Sequence, residues 1–185
     1  GHSDKEIDLN ARDDSGLTGF MYACRYGHKD VVQSLLDLSD PNIDLNARCN
    51  GGLTAFLYAC NLGHKDVVQL LLDHSERIEL NARSNCGMTA FMIACFCEHK
   101  DVVQLLLENS NIDLNARDNQ GGTAFMSACR NGHKDVVKLL LDHSKRIDLN
   151  ARSNNGNTAF IMAYKNGHKD IIKLLLEHSD IDITG

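Results

Sequence analysis

Histidine, lysine and aspartate stand side by side five times in this chain, at His28-Lys29-Asp30, His64-Lys65-Asp66, His99-Lys100-Asp101, His133-Lys134-Asp135 and His168-Lys169-Asp170. An imidazole, an ammonium and a carboxylate together could ligate a metal or move a proton. Both kinds of chemistry need side chains that converge on one point, and copies that each begin an equivalent helix lie one unit apart. The five histidines therefore read as joints between neighbouring hairpins and helix starts. The thiols lead to the same reading. Of seven cysteines, Cys24, Cys60, Cys95 and Cys129 share one repeated column, and no CxxC pair occurs. Such a column fits reduced thiols filling small buried volumes, and hence an intracellular protein, cytoplasmic or nuclear. Cys49, Cys86 and Cys97 stand outside it and are expected to be exposed. No general base and orienting acid is evident for Cys60 or Cys95, so neither catalysis nor a cofactor or metal is expected.

The elements that carry these residues recur as a block. The threonines Thr18, Thr54, Thr89, Thr123 and Thr158 are spaced by 36, 35, 34 and 35 residues, and Asn-Ala-Arg triplets beginning at Asn10, Asn46, Asn81, Asn115 and Asn150 keep the same spacings. A period of this length means a solenoid. Within each block, a tip such as DDSG or CNGG favours a tight turn. A short helix follows with Thr as its N-cap, ending at Gly27, Gly63, Gly132 or Gly167 and, in the third block, at Glu98. A second helix, Lys29 to about Leu38 in the first block, places Val31, Val32, Leu35 and Leu36 on one stripe with Asp30 at its positive end. His74, His143 and His178 fall near the negative ends of such helices, which favour the imidazolium. Two helices this short cannot bury so much Leu and Val alone, so neighbours must stack.

Composition limits the partners. The net charge is −6 with Lys and Arg dispersed, which argues against nucleic acid. Apolar runs are too short to insert in a membrane, and 43% hydrophobic residues suffice for a continuous core. Gly1-His2-Ser3 is set aside as an expression remnant.

The block GxTAFxxAC, then GHKDVVxLLL, then LNAR, strongly resembles the ankyrin repeat, whose usual signature runs G-x-T-P-L-H-x-A-A, G-H-x-x-V-V-x-L-L-L and V-N-A. The resemblance covers residues 7 to 183. It implies an all-α solenoid of stacked helix-turn-helix repeats with β-hairpin-like loops. The units are 13–48, 49–83, 84–117, 118–152 and 153–185, the last truncated, after a lead-in of 1–12 that supplies the last hairpin strand of a preceding repeat. Compared with the family's usual period, extra residues fall after the second helix, as at Asp40-Pro41-Asn42 and Glu76-Arg77, and should lengthen that loop. The family's Pro is replaced by Ala or Gly19, and its inner-helix His by Met21, Leu57, Met92, Met126 and Ile161. The Cys column stands where the family has a small buried Ala.

Two stripes of the short helix separate by comparing copies within the chain. Phe20, Ala23 and Cys24 and their equivalents, down to Phe160, Ala163 and Tyr164, hardly vary and mark the packed face. Tyr22, Arg25 and Tyr26, with the tip residue Leu17, belong to columns that change completely. In the first three units ten of these twelve positions are apolar or aromatic, against one of eight in the last two. Drift at unconstrained surface positions does not predict that asymmetry. In the family, the corresponding columns bind protein partners along a concave surface. The implied site is Leu17, Tyr22, Arg25, Tyr26, Leu53, Tyr58, Leu62, Met88, Ile93, Phe96 and Cys97, a patch on the order of 25 Å long suited to a protein or peptide with an apolar face.

Other columns compete. Arg12, Arg48, Arg83, Arg117 and Arg152 could form a ladder for an acidic partner, or hairpin ion pairs with Asp13 or Asp118. The Asn of each LNAR resembles the acceptor context of ankyrin asparaginyl hydroxylation. The last outer helix, with Ile171, Ile172, Leu174, Leu175 and Leu176, repeats the internal apolar pattern, so either the chain is cut from a longer array or ends associate, a monomer otherwise being expected. The expected function is a non-enzymatic protein-interaction module. The alternative is a structural spacer or self-associating segment with no specific groove ligand.

Overall fold

The computed structural model describes residues 8–38 and 43–183. Among them are five helix pairs: α1 (Gly19–Arg25) with α2 (Lys29–Asp37), α3 (Ala55–Asn61) with α4 (Lys65–Asp73), α5 (Ala90–Phe96) with α6 (Lys100–Glu108), α7 (Ala124–Asn131) with α8 (Lys134–Leu141), and α9 (Ala159–Lys165) with α10 (Lys169–Glu177). The short helices α1, α3, α5, α7 and α9 stack in order as an inner row, and the longer ones stack behind them. No strand is present among the described residues, so the tips are turns without a ladder of their own. No helix among them is long and apolar enough to cross a membrane.

Each inner helix starts because a buried threonine Oγ1 accepts a backbone N–H three residues on, from Met21, Leu57, Met92, Met126 and Ile161 at 3.3–3.4 Å. Each ends in a left-handed residue. Gly27, Gly63, Gly132 and Gly167 take φ of 71°, 71°, 82° and 73°, and Glu98 adopts φ 62° in the same place. A Cβ on Gly27 or Gly63 would stand 2.7 Å from the ring of the next unit's histidine, so three of these glycines also make room for a neighbour. At Glu98 the carboxylate instead meets His133 Nδ1 at 3.3 Å.

The core is continuous from unit to unit. Phe20, Phe56, Phe91 and Phe125 are fully buried, as are Cys24, Cys60, Cys95 and Cys129, and burial raises all four thiols, Cys24 to about 12. At the ends of the stack the packed stripes lose cover, and two thiols expected to be exposed are wholly or partly covered. Tyr164 and Val31 are exposed, and Phe160, Leu35 and Ile172 only half-buried, because no described helix packs outside α9, α10 or α2, whereas Leu174 is half-buried as its equivalents Leu105 and Leu139 are inside the stack. Leu176 is exposed as well. Cys49 is buried and Cys97 half-buried, leaving Cys86 as the exposed thiol. The His178 Nδ1 accepts the Asp180 N–H at 3.4 Å, whereas His74 and His143 donate from Nδ1 to the Leu70 and Leu139 carbonyls.

Polar ladders join the units. Carbonyls can only accept, so His64, His99, His133 and His168 donate from Nε2, at 2.8–2.9 Å, to Arg25, Asn61, Phe96 and Arg130 of the preceding inner helix. The arginine column is a second ladder. Arg12, Arg48 and Arg117 donate at 2.5–2.6 Å to the carbonyls of Arg48, Arg83 and Arg152, and Arg83 donates to that of Arg117. The Asp13 and Asp118 carboxylates accept backbone N–H groups of their own tips, so the ion pairs expected there do not form. Arg48 and Arg152 pair instead with Glu79 at 3.5 Å and Asp182 at 4.0 Å. The LNAR asparagines form a third, with Asn46 Oδ1 accepting from Glu79 N and its Nδ2 donating to the Arg77 carbonyl. Tip backbones close a fourth, as Asn50 N donates to Ser15 O and Asn119 N to Cys86 O.

One use of the lengthened loops was not legible in the repeat pattern. Arg77 and Arg146 donate to the Leu36 and Leu107 carbonyls, neutralising orphan acceptors at the ends of α2 and α6 of the preceding units. The loop at Asp40-Pro41-Asn42 lies outside the described residues.

Candidate functional site

The varied stripe occupies the face made by the inner helices and the tips. Tyr22, Tyr26, Leu62 and Phe96 are 37%, 57%, 44% and 50% exposed. Leu53, Tyr58, Met88 and Cys97 are half-buried and packed against the core. Leu17 and Ile93, at 4% and 6%, are buried. They support this face from beneath and offer almost no area of their own, a correction to their expected contact role. A short branched Ile lies lower in a column whose earlier members are tyrosines.

The aromatic residues are held by named contacts. Tyr22 and Tyr26 stack with centroids 6.0 Å apart and planes 8° from parallel. The Arg25 guanidinium lies 5.7 Å from the Tyr26 centroid and 5.5 Å from that of Tyr58 in the next unit, so one cation bridges two rings. Tyr22 Oη donates to Asp13 Oδ2 at 2.7 Å, while Asp13 Oδ1 accepts from Ser15 N and Leu17 N. The Tyr22 hydroxyl, helped by these N–H groups, holds the Asp13 carboxyl below the usual aspartate range, and Asp13 in turn raises the phenol. In the next unit Tyr58 Oη lies 3.4 Å from Cys49 Sγ. Burial, with that hydrogen bond second, pushes the Tyr58 phenol up to about 12. At Cys49 burial raises the thiol, but hydrogen bonds from Tyr58 and nearby N–H groups outweigh it and leave a net lowering. Cys97 Sγ donates to Asn61 Oδ1 at 3.4 Å.

The other half of the face has a different shape as well as a different polarity. The columns that hold Leu17, Leu53 and Met88, and Tyr22, Tyr58 and Ile93, shrink to Gly122 and Ser127 in the fourth unit. A cleft of about 420 Å³ opens there, bounded by Met88 and Phe96 on one side and by Asp118, Ser127 and Arg130 on the other. A second, of about 290 Å³, lies between Arg130 and Lys165. Lys165 Nζ is engaged by Asn157 Oδ1 at 2.8 Å. Sequence reasoning read Gly122 and Ser127 only as the end of the apolar patch. Their small size was the available signal for a recess.

The arrangement offers aromatic anchors, a bridging guanidinium and recesses. Every unit presents a different surface on an identical frame. The model describing ankyrin repeats in three copies matches residues 3–83, 20–118 and 113–185. The chain belongs to the ankyrin repeat family. Ankyrin repeats are generally protein-interaction modules and typically non-enzymatic. A search of curated proteins found no match to this ankyrin chain.

Proposed function

We propose that the chain binds a protein or peptide with an apolar face along its inner-helix surface, chiefly through the first three units. The observation that carries this reading is the contiguous exposure of Tyr22, Tyr26, Leu62 and Phe96 on a molecule whose other large apolar side chains are mostly buried. Rings fixed by stacking and by Arg25 lose little freedom on binding, which suits them as anchors. The test selects peptides from a displayed library on the wild-type protein, then measures their affinity for a Tyr26→Ser, Leu62→Ser, Phe96→Ser variant. A loss on the order of 100-fold with an unchanged melting temperature is expected. Absence of any selected peptide, or equal binding to the variant, would overturn the reading.

A second reading, association through the ends, draws on Val31 exposed at one end and Tyr164 and Leu176 at the other. Light scattering across a range of concentrations decides it, since a constant monomer mass excludes association.

A further inference from the structure

The first and fourth units share an unusual frame. Only these two begin their tip with aspartate, Asp13 and Asp118, and only these two carry arginine at the helix position twelve residues on, Arg25 and Arg130. The two carboxylates are held alike. Asp13 Oδ1 accepts from Ser15 N at 2.9 Å and Leu17 N at 2.8 Å, and Asp118 Oδ1 accepts from Gln120 N and Gly122 N at 2.8 Å. The frames differ in what reaches the second oxygen. Asp13 Oδ2 accepts the Tyr22 hydroxyl at 2.7 Å. At the position equivalent to Tyr22 stands Ser127, and no donor among the described residues reaches Asp118 Oδ2. There is space as well: Asp118 and Ser127 both line the cleft of about 420 Å³, and Gly122, in the place of Leu17, lines the adjoining one of about 290 Å³.

We propose that this cleft receives a tyrosine side chain of the bound partner, whose phenol donates to Asp118 Oδ2 as Tyr22 does to Asp13. The proposal rests on the groove reading above and adds to it a specificity pocket in the fourth unit. The chemistry of the walls fits the occupant. Phe96 and Met88 offer the ring an apolar flank that continues the aromatic patch, and Arg130 offers it a cation, as Arg25 does for Tyr58. A phenol supplies the single donor that a carboxylate oxygen lacks and the apolar body that the flank requires. A lysine or arginine would satisfy Asp118 but would stand beside Arg130, and a phenylalanine would leave the carboxylate oxygen desolvated without a donor.

The experiment uses the same displayed peptide library on three proteins: wild type, Asp118→Asn and Ser127→Tyr. Asparagine keeps an oxygen for the two tip N–H groups but cannot accept at both positions. Tyrosine at residue 127 fills the cleft from within the chain, and a melting temperature at or above that of wild type checks that it folds. Wild type is expected to enrich tyrosine at one fixed distance from the apolar anchors and to bind that peptide about tenfold more tightly than its phenylalanine analogue. Asp118→Asn should bring this ratio to about one, and Ser127→Tyr should remove the tyrosine preference while keeping the apolar anchors. Apolar enrichment without tyrosine, a lysine or arginine in its place, or a tyrosine preference that survives both substitutions would overturn the pocket and leave the groove. Failure to select any peptide would overturn the groove, and the pocket with it.

Discussion

Phe91 and Phe96 lie on one seven-residue helix, and one is 1% exposed while the other is 50% exposed. The same contrast runs the length of the molecule. The face carrying Phe91 is nearly identical from unit to unit and is enclosed by the next one, whereas the face carrying Phe96 differs in every unit and meets its neighbours at only a few side chains, as Arg25 meets Tyr58 and Cys97 meets Asn61. Within the varied face the first and fourth units form a second contrast, one with its tyrosine in place and one with a recess. Repetition thus builds the core, and departure from repetition sets the shape and polarity of the varied face.

The sharpest way to break the first contrast is truncation on each side of the inner row. Phe56→Ala and Phe125→Ala should each cost about 3–5 kcal/mol in urea unfolding, and Tyr26→Ala less than about 0.5 kcal/mol. Equal costs on both sides would erase the distinction between scaffold and surface. A smaller effect is expected where the inner helices end. Gly63→Ala strains a left-handed residue and drives a Cβ into the His99 ring, for a loss of about 2–3 kcal/mol, while Gly167→Ala, with nothing within 4 Å, should lose about 1 kcal/mol. The reverse change, Glu98→Gly, should gain up to about 1 kcal/mol, measured in the same way, because the exposed pairing with His133 offsets little of the backbone strain.

The smallest effect concerns the tyrosine that the first unit has and the fourth lacks. Because the folded Asp13 carboxyl is held below its ordinary value, its contribution is present above the usual aspartate range and is lost as pH falls through the lowered folded value. Wild type should therefore lose melting temperature more steeply than Tyr22→Phe between about pH 5 and pH 3. Parallel curves would mean that the Tyr22–Asp13 bond contributes nothing.

Much of this was legible in residue order, for identifiable reasons. Thr caps, terminal glycines and the Phe-Ala-Cys face are local or strictly periodic signals, and the left-handed Glu98 followed from its column. The roles of the polar columns were harder. Arginine beside aspartate in sequence suggested an ion pair, but the tip aspartates turn back to their own N–H groups while the guanidiniums reach a carbonyl in the next unit. Cys49 stood outside the buried column and is nonetheless covered, with Tyr58 at its sulfur.

Sequence by itself determined the repeat, its two helices, the buried stripe and the columns free to vary, because each depends on spacing along one segment and on copies that agree. Tertiary structure alone decided how deep each varied side chain lies, which carbonyl each arginine and histidine meets, and that Asp118, with one oxygen bonded to its own tip, lines an open cleft. Those outcomes depend on the sizes and hydrogen-bonding groups of residues some thirty-five positions apart, brought together only when one unit stacks on the next.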